Sequence, residues 1–393
     1  MNILDGIRVL DMSKVLAGPQ CAMLLGDLGA DVIKIETPGV GDDSRNMGAK
    51  QEGLAGFYVS CNRNKRGITL NLKKPEAVET LYRMVKKADV FIENLLTGGA
   101  EKLKVDYETL KEINPKIIYV SISGYGRSGP YAKKGGYDMM AQATGGIMSV
   151  TGLPGLEEPI RVGYSITDVG TGTLAAFGVL AALRHREQTG EGQKIEASLL
   201  HTQLGYASYF LTQYGISREI PIPSGTKHAS MAPYQTFKTK NGKLIMGMSN
   251  ETQWKRFCTI KSFGKLAENP QYDNMAARVA NRDALADEIE AVFLEMTTKE
   301  VAAMLDEYGI PNSPINTMKD LFEDDYIYNE LMMELDFPEQ GKFVVSGFPL
   351  VFSDKTPMPT KLPPMLGEDN VQVLADYGFT ESEITDLKNC GAV

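Results

Sequence analysis

Over the first 125 residues, short runs with strand-like patterning take turns with stretches of helical period. Residues 7–11 (IRVLD) form a β-rich run. Gly18-Pro19 then opens a helix with apolar positions at Cys21, Leu24, Leu25 and Leu28, closed by Gly29. Residues 30–36 (ADVIKIE) read as a second strand, ended by Pro38-Gly39. The rhythm continues with a strand at 67–72, a helix at 75–87, a strand at 89–93, a helix at 107–113 and a strand at 116–122. Such alternation predicts an α/β fold: a doubly wound, mostly parallel sheet covered by helices on both faces.

A Gly- and Tyr-rich stretch, 123–146, interrupts the pattern and is followed by a long helix from about 169 to 186 and a Gly190-x-Gly192 turn. Another strand-to-helix passage runs to about Tyr214, and 220–225 (IPIPSG) reads as a linker. Beyond it, 234–238 and 244–248 flank Asn241-Gly242, the signature of an antiparallel hairpin. Helices are expected at 251–263, 281–296 and 298–308. The resulting domain assignment is a large domain over 1–220 with 326–393, and a smaller α+β domain over 225–325. The tail turns helical after Pro363-Pro364, and no internal repeat is visible.

Composition narrows the function classes. The chain has 393 residues and a net charge of 41 − 50 = −9, which argues against general nucleic-acid binding. Four cysteines lie far apart with no C-x-x-C pair, so neither a zinc site nor a disulfide framework is expected. Three histidines, His185, His201 and His228, are too few for a His-rich metal site. The N-terminus lacks a basic-then-apolar signal, and no apolar run reaches the ~18 residues of a membrane span. A cytoplasmic enzyme without membrane association is the expectation.

The opening βαβ pattern places Glu36 where a ribose-binding acid would sit, but the first turn, 13–19 (SKVLAGP), lacks G-x-G-x-x-G, which disfavours a dinucleotide site. Asp168 stands just ahead of an apolar helical run. It reads either as an N-cap or as a carboxylate presented for chemistry, and Gly170 and Gly172 favour a site where a ligand approaches backbone. An aspartate needs no base to act as a nucleophile, since its ordinary pKa of ~3.9 leaves it ionised near neutrality. The basic cluster Arg63, Lys65 and Arg66, with Lys73-Lys74 beyond the next strand, is either a solvated face or a site for a phosphorylated ligand. Tyr137-Asp138 is either a turn tyrosine followed by a capping aspartate or a functional pair, and Trp254 with Phe257 reads as core.

Many short segments occur in one order: Ala17-Gly18-Pro19, 28–36 (LGADVIKIE), Asn64-Lys65-Arg66-Gly67, Glu93-Asn94, 123–131 (SGYGRSGPY), Tyr137-Asp138, Asp168, 189–193 (TGEGQ), Ala232-Pro233-Tyr234 and 364–368 (PMLGE). Taken together the chain resembles the family III CoA-transferases, the group of formyl-CoA and carnitine CoA-transferases that also includes the α-methylacyl-CoA racemases. The resemblance implies a Rossmann-like large domain, a small domain and an interlocked homodimer. It implies acyl-CoA and a small carboxylic acid as partners, with coenzyme A as co-substrate and no tightly bound cofactor or metal. Asp168 takes the place of the family nucleophile, which forms an aspartyl anhydride and then an aspartyl-CoA thioester, with Tyr137 beside the reacting centre. CoA would lie along Val15, Leu16 and Ala17, along Leu70, Asn71, Leu72 and Lys73, and past Asn94, Leu95 and Lys102.

Two departures shape the expectation. Racemases carry His-Asp where this chain has Tyr137-Asp138, so racemase is the alternative reading rather than the first. The stretch 247–251 (GMSNE) is not the polyglycine loop of formyl-CoA transferases, so oxalate or formate specificity does not carry over. A non-catalytic CoA-thioester binder and a dehydrogenase are the readings from other classes, and neither requires Asp168.

Overall fold

Alternation along a strand sends successive side chains to opposite faces of a sheet. In the computed structural model, which describes residues 2–354, 356 and 360–393, the chain divides into two compact units. The first comprises Met1–Ile147, Arg161–Glu219 and Tyr326–Val393; the second comprises Met148–Ile160 and Ile220–Asp325. Residues 148–160, expected in the large domain from sequence, go with the second unit, where the Gly225 N–H donates to the Gly152 carbonyl at 2.8 Å.

In chain order, the first unit contains β1 (Arg8–Asp11), α1 (Ala17–Asp27), β2 (Asp31–Glu36), β3 (Lys65–Thr69), α2 (Pro75–Val85), β4 (Val90–Glu93), α3 (Gly99–Leu103), α4 (Tyr107–Ile113), β5 (Ile118–Ser123), α5 (Asp138–Thr144), α6 (Ile166–Thr189), β6 (Lys194–Ser198) and α7 (Leu199–Ser217, kinked at Ser208). The six strands form one sheet in the order β3-β2-β1-β4-β5-β6, every neighbouring pair parallel. Val9, Val32, Val90, Ile92, Ile118 and Val120 face α1 and α6 on one side. Leu10, Ile33, Ile68, Phe91 and Tyr119 face α2 and α4 on the other, together with two C-terminal helices introduced below. Both faces are buried, as the doubly wound reading requires. α6 is long and apolar enough by composition to cross a membrane; Ala175, Ala176, Val179, Ala182 and Leu183 pack one face of it on this sheet, while Leu174 and Phe177 are exposed.

The second unit is built on β7 (Tyr234–Thr239), β8 (Gly242–Gly247) and β9 (Asn312–Pro314), antiparallel in the order β9-β8-β7. Its helices include α8 (Glu251–Phe257), α9 (Arg282–Phe293) and α10 (Thr298–Glu307). Phe237, Leu244, Trp254, Phe257, Phe263 and Phe293 form its core, with Phe257 stacked on Phe263 at 4.4 Å.

The C-terminal part of the first unit adds a hairpin that sequence patterning did not reveal, β10 (Met332–Phe337) with β11 (Gly341–Ser346), whose apolar side packs on Leu54, Tyr58 and Val59. After it come α11 (Asn370–Asp376) and α12 (Glu381–Asn389), which complete the face occupied by α2 and α4.

Candidate active site

The strand order reverses between β1 and β4: β2 continues outward from β1, and β5 outward from β4. In open parallel sheets the crevice beyond the carboxyl ends of the two strands at such a reversal receives ligands. The loops leaving β1 and β4 are tied together there. The Lys14 N–H donates to Asn94 Oδ1 at 2.9 Å, and Asn94 Nδ2 donates to the Lys14 carbonyl at 2.8 Å. Five predicted CoA-binding residues, Val15, Leu16, Ala17, Asn94 and Leu95, stand on these two loops or at the start of α1.

Leu95 also lines an open groove of about 860 Å³ with Leu72, Lys73, Lys102, Leu103 and Lys104. Among the described residues Lys73, Lys102 and Lys104 have no ion-pair partner, whereas Lys74 donates to the Cys390 carbonyl. The groove therefore presents free ammonium groups beside apolar side chains, as an anionic phosphate on an organic scaffold requires.

Of the other predicted CoA-binding residues, the Leu70 side chain is 2% exposed within the sheet core, and the Asn71 N–H donates to the Ala392 carbonyl at 2.8 Å. Within the basic cluster, Arg63, Lys65 and Arg66 are engaged in ion pairs rather than forming a solvated face, unlike Lys73. Arg63 pairs with both oxygens of Asp27 at 3.0 and 2.7 Å, Lys65 pairs with Asp11 at 2.8 Å, and Arg66 with Asp31 and Asp376. Glu36, which stands where a ribose-binding acid would in a dinucleotide site already disfavoured by the first turn, receives Arg45 at 2.9 and 2.7 Å and the Asp42 N–H at 2.7 Å.

Asp168 is the third residue of α6, inside the helix, so it is not the N-cap. The cap position is Ser165, whose side chain makes no capping bond. Asp138 from α5 supplies the cap instead: its Oδ1 receives the Thr167 N–H at 2.8 Å and the Thr167 hydroxyl at 2.5 Å. Gln142 fixes that carboxylate, donating to Oδ2 at 2.7 Å while its own Oε1 receives the Val162 N–H at 2.9 Å. With the helix terminus satisfied, the Asp168 carboxylate accepts no hydrogen bond from any described residue. Burial first, and the Asp138 charge second, push its pKa up to about 7. Tyr137, which precedes Asp138, has 71% of its surface exposed and makes no capping bond.

Gly170 and Gly172, in the second turn of α6, serve packing. A Cβ on Gly172 would stand 2.5 Å from the Ala17 carbonyl oxygen, and one on Gly170 would overlap the Tyr206 hydroxyl at 1.6 Å. Gly172 thus lets α6 lie directly against the start of α1, which brings the helix of Asp168 to the crevice of residues 15–17. Sequence reasoning missed Asp138 and Gln142 as partners of the α6 terminus because the backbone N–H groups they hold, those of Thr167 and Val162, lie 29 and 20 residues away. It also passed over Lys34 and Asp42, although a lysine between two isoleucines in the strand ADVIKIE was a visible signal. No group of three or more His, Cys, Asp or Glu among the described residues is placed to hold a metal ion.

The chain is similar to known proteins over nearly its whole length. The family model described as CoA-transferase family III matches residues 4–370. The chain is 37% identical to the succinyl-CoA:glutarate CoA-transferase of Homo sapiens, over 99% of this chain and 90% of that protein. It is 37% identical to the succinate–glutarate CoA-transferase of Agrobacterium fabrum, over 97% of each, and 34% identical to the formyl-CoA:oxalate CoA-transferase of Streptomyces coelicolor, over 99% of each. Among solved structures, a CAIB/BAIF family protein from Brucella suis superposes with a TM-score of 0.87 at 37% identity, over 96% of this chain and 100% of that one.

Proposed function

The chain belongs to CoA-transferase family III, and from that premise we propose that it carries CoA from an acyl-CoA to a free small carboxylic acid with Asp168 as the covalent carrier. A carboxylate oxygen of Asp168 attacks the thioester carbonyl, the carbon–sulfur bond breaks, and CoA leaves as thiolate from a mixed anhydride. The thiolate attacks the aspartyl carbonyl, releasing the donor acid as carboxylate and leaving an aspartyl-CoA thioester. The acceptor carboxylate attacks that thioester and expels the thiolate, which then attacks the acceptor's acyl carbon and frees Asp168. Each step exchanges one activated acyl bond for another, so no step has to climb from an unactivated acid.

The observation that carries this reading is the Asp168 carboxylate: part-buried, without a hydrogen-bond donor among the described residues, and raised to about 7 so that its ionised form is more nucleophilic than an ordinary aspartate. CoA is read along Val15, Leu16, Ala17, Asn94 and Leu95, with its phosphates toward Lys73 and Lys102 in the groove. Relatives acting on succinyl-CoA with glutarate or mesaconate lead us to propose succinyl-CoA as donor and a small dicarboxylate as acceptor. Exposed apolar side chains on α6 (Leu174, Phe177) and α7 (Tyr209, Leu211, Ile216) support a second copy of the chain as partner. Light scattering should then return twice the chain mass. A cytoplasmic location remains part of this reading.

The decisive experiment mixes the protein with acyl-CoA, traps the adduct with hydroxylamine, and maps the label by mass spectrometry. The expected label is on Asp168, and a label elsewhere or none would overturn the assignment. A racemase would take up solvent deuterium at the α-carbon of a 2-methylacyl-CoA without any acceptor acid; no uptake is expected.

A further inference from the structure

The three residues that follow β1 and its short continuation make no hydrogen bonds among themselves, yet all their backbone polar groups are held. The Ser13 N–H donates to Asp11 and the Ser13 carbonyl accepts from Lys34, the Lys14 N–H and carbonyl are both bound by Asn94, the Val15 N–H donates to Asp42, and the Val15 carbonyl accepts from Cys61 Sγ. Side chains thus grip the backbone at every polar atom of this segment.

The grip includes a backbone shape that the sequence would not choose. Val15 has φ 69°, a left-handed value that is a genuine outlier for a β-branched residue. Its N–H is 3.0 Å from Asp42 Oδ1 and 3.3 Å from Oδ2. Asp42 is itself fixed, by Lys34 at 2.8 Å, by the Ser44 N–H at 2.9 Å, and through its own N–H by Glu36 at 2.7 Å. The side chains of Lys34 and Asp42 are both 0% exposed. A fully buried ion pair is often no more stabilising than an apolar pair of similar volume, so stability alone gives weak reason for this one.

We infer that Asp42, backed by Lys34, is a positioning residue for the nucleotide substrate: it latches Val15 in its left-handed conformation and so presets residues 13–17 to receive CoA. The inference rests on the reading that CoA lies along Val15, Leu16 and Ala17. A preset loop loses less freedom on binding, so the latch acts on affinity for CoA and leaves the carboxyl chemistry at Asp168 in place.

The test combines amide hydrogen exchange with CoA binding by calorimetry on the full chain. Lys34→Met with Asp42→Leu removes the latch without leaving a buried charge. The pair variant should bind CoA about tenfold more weakly and exchange its 13–17 amides faster, with KM raised and kcat close to wild type. Glycine accepts a left-handed conformation without strain, so in the Val15→Gly background the same pair of changes should have little further effect on affinity. Should the pair variant fold poorly, Asp42→Asn provides the milder form, with the same directions expected. Wild-type affinity and exchange in the latch variants, or an undiminished loss in the Val15→Gly background, would overturn the latch. The CoA placement fails separately, if CoA leaves exchange of 13–17 unchanged in the wild-type protein.

Discussion

Two regions of the first unit treat their carboxylates in opposite ways. Around the first three strands, Asp11, Asp27 and Asp42 are each buried against a matching cation, Lys65, Arg63 and Lys34, with every pair within 2.8 Å. Burial alone would raise Asp11, yet the neighbouring Lys65 and Lys34 charges outweigh it and hold the carboxyl below its ordinary value. At the start of α6, Asp168 is also largely withdrawn from water, but its one charged neighbour is another carboxylate and its pKa rises to about 7. Burial is common to both regions, and the partner decides the outcome. A matched charge holds a buried carboxylate ionised; burial without one, beside a like charge, raises it.

The contrast breaks first at Asp168. If Asp168 is the covalent carrier proposed above, Asp168→Ala or Asp168→Asn should lower CoA exchange between two acids by ~10³-fold or more, since such a carrier has no substitute, while both variants stay folded. The opposite behaviour is expected for Lys65→Met. That change strands Asp11 in the core and empties the contacts to the Pro19 carbonyl and Asn62 at 3.0 and 2.8 Å. A loss of ~3–5 kcal/mol in urea unfolding is expected for removing one partner of a buried pair. A stable Lys65→Met variant would show that the lattice is not architectural.

Much of this frame was legible in the chain because it rests on local rules. Val9 and Leu10 fall on opposite faces, as alternation dictates, and Asn241-Gly242 sits at the turn joining β7 to β8. The site was legible only in part. Asp168 was visible as a residue, but its freedom depends on Asp138 capping α6 from thirty residues upstream, and no spacing rule links the two. Arg63, Lys65 and Arg66 look like a basic surface patch in one dimension, because their acidic partners Asp27, Asp11 and Asp31 arrive on neighbouring elements only once the parallel sheet forms. The β10–β11 hairpin was hidden for a similar reason: its apolar side finds cover on Tyr58 and Val59, far back in the chain.

Asp138 sharpens the comparison, since it is both a structural cap and the charge facing Asp168. Asp138→Ala removes the cap and leaves the buried Thr167 hydroxyl without its acceptor, so a loss of ~2 kcal/mol is expected. Asp138→Asn keeps an acceptor oxygen but removes the charge. Its stability should fall by less than that of Asp138→Ala, because the new amide faces the Gln142 donor but the acceptor for Thr167 remains, while Asp168 titrates lower, moving the acid limb of the kcat profile to lower pH. An unmoved acid limb would show that burial alone sets the reactivity of Asp168.

The smallest effect is also the one that separates the two regions most directly, because it reads stability rather than activity at the same residue. Asp168 has an ordinary pKa of 3.8 and is raised to about 7 in the fold. Between those values the folded chain keeps a proton that the unfolded chain has released, so this group's contribution to stability falls as pH rises through that window. Asparagine does not titrate. Asp168→Asn should therefore gain on wild type between about pH 4 and 7, with the full difference present above 7. Because the carboxylate is only part-buried and water can relax around it, the gain should be modest, ~1 kcal/mol at pH 8. The Asp42 carboxyl, which Lys34 lowers to about 2 against the effect of burial, runs the other way: its stabilisation is present above its ordinary value of 3.8 and is lost as pH falls through 2. Parallel denaturation of the wild-type and Asp168→Asn proteins from pH 5 to 8 measures the first slope. A gap that stays constant with pH would mean that Asp168 is an ordinary, fully hydrated carboxylate and that the contrast between the two regions does not exist.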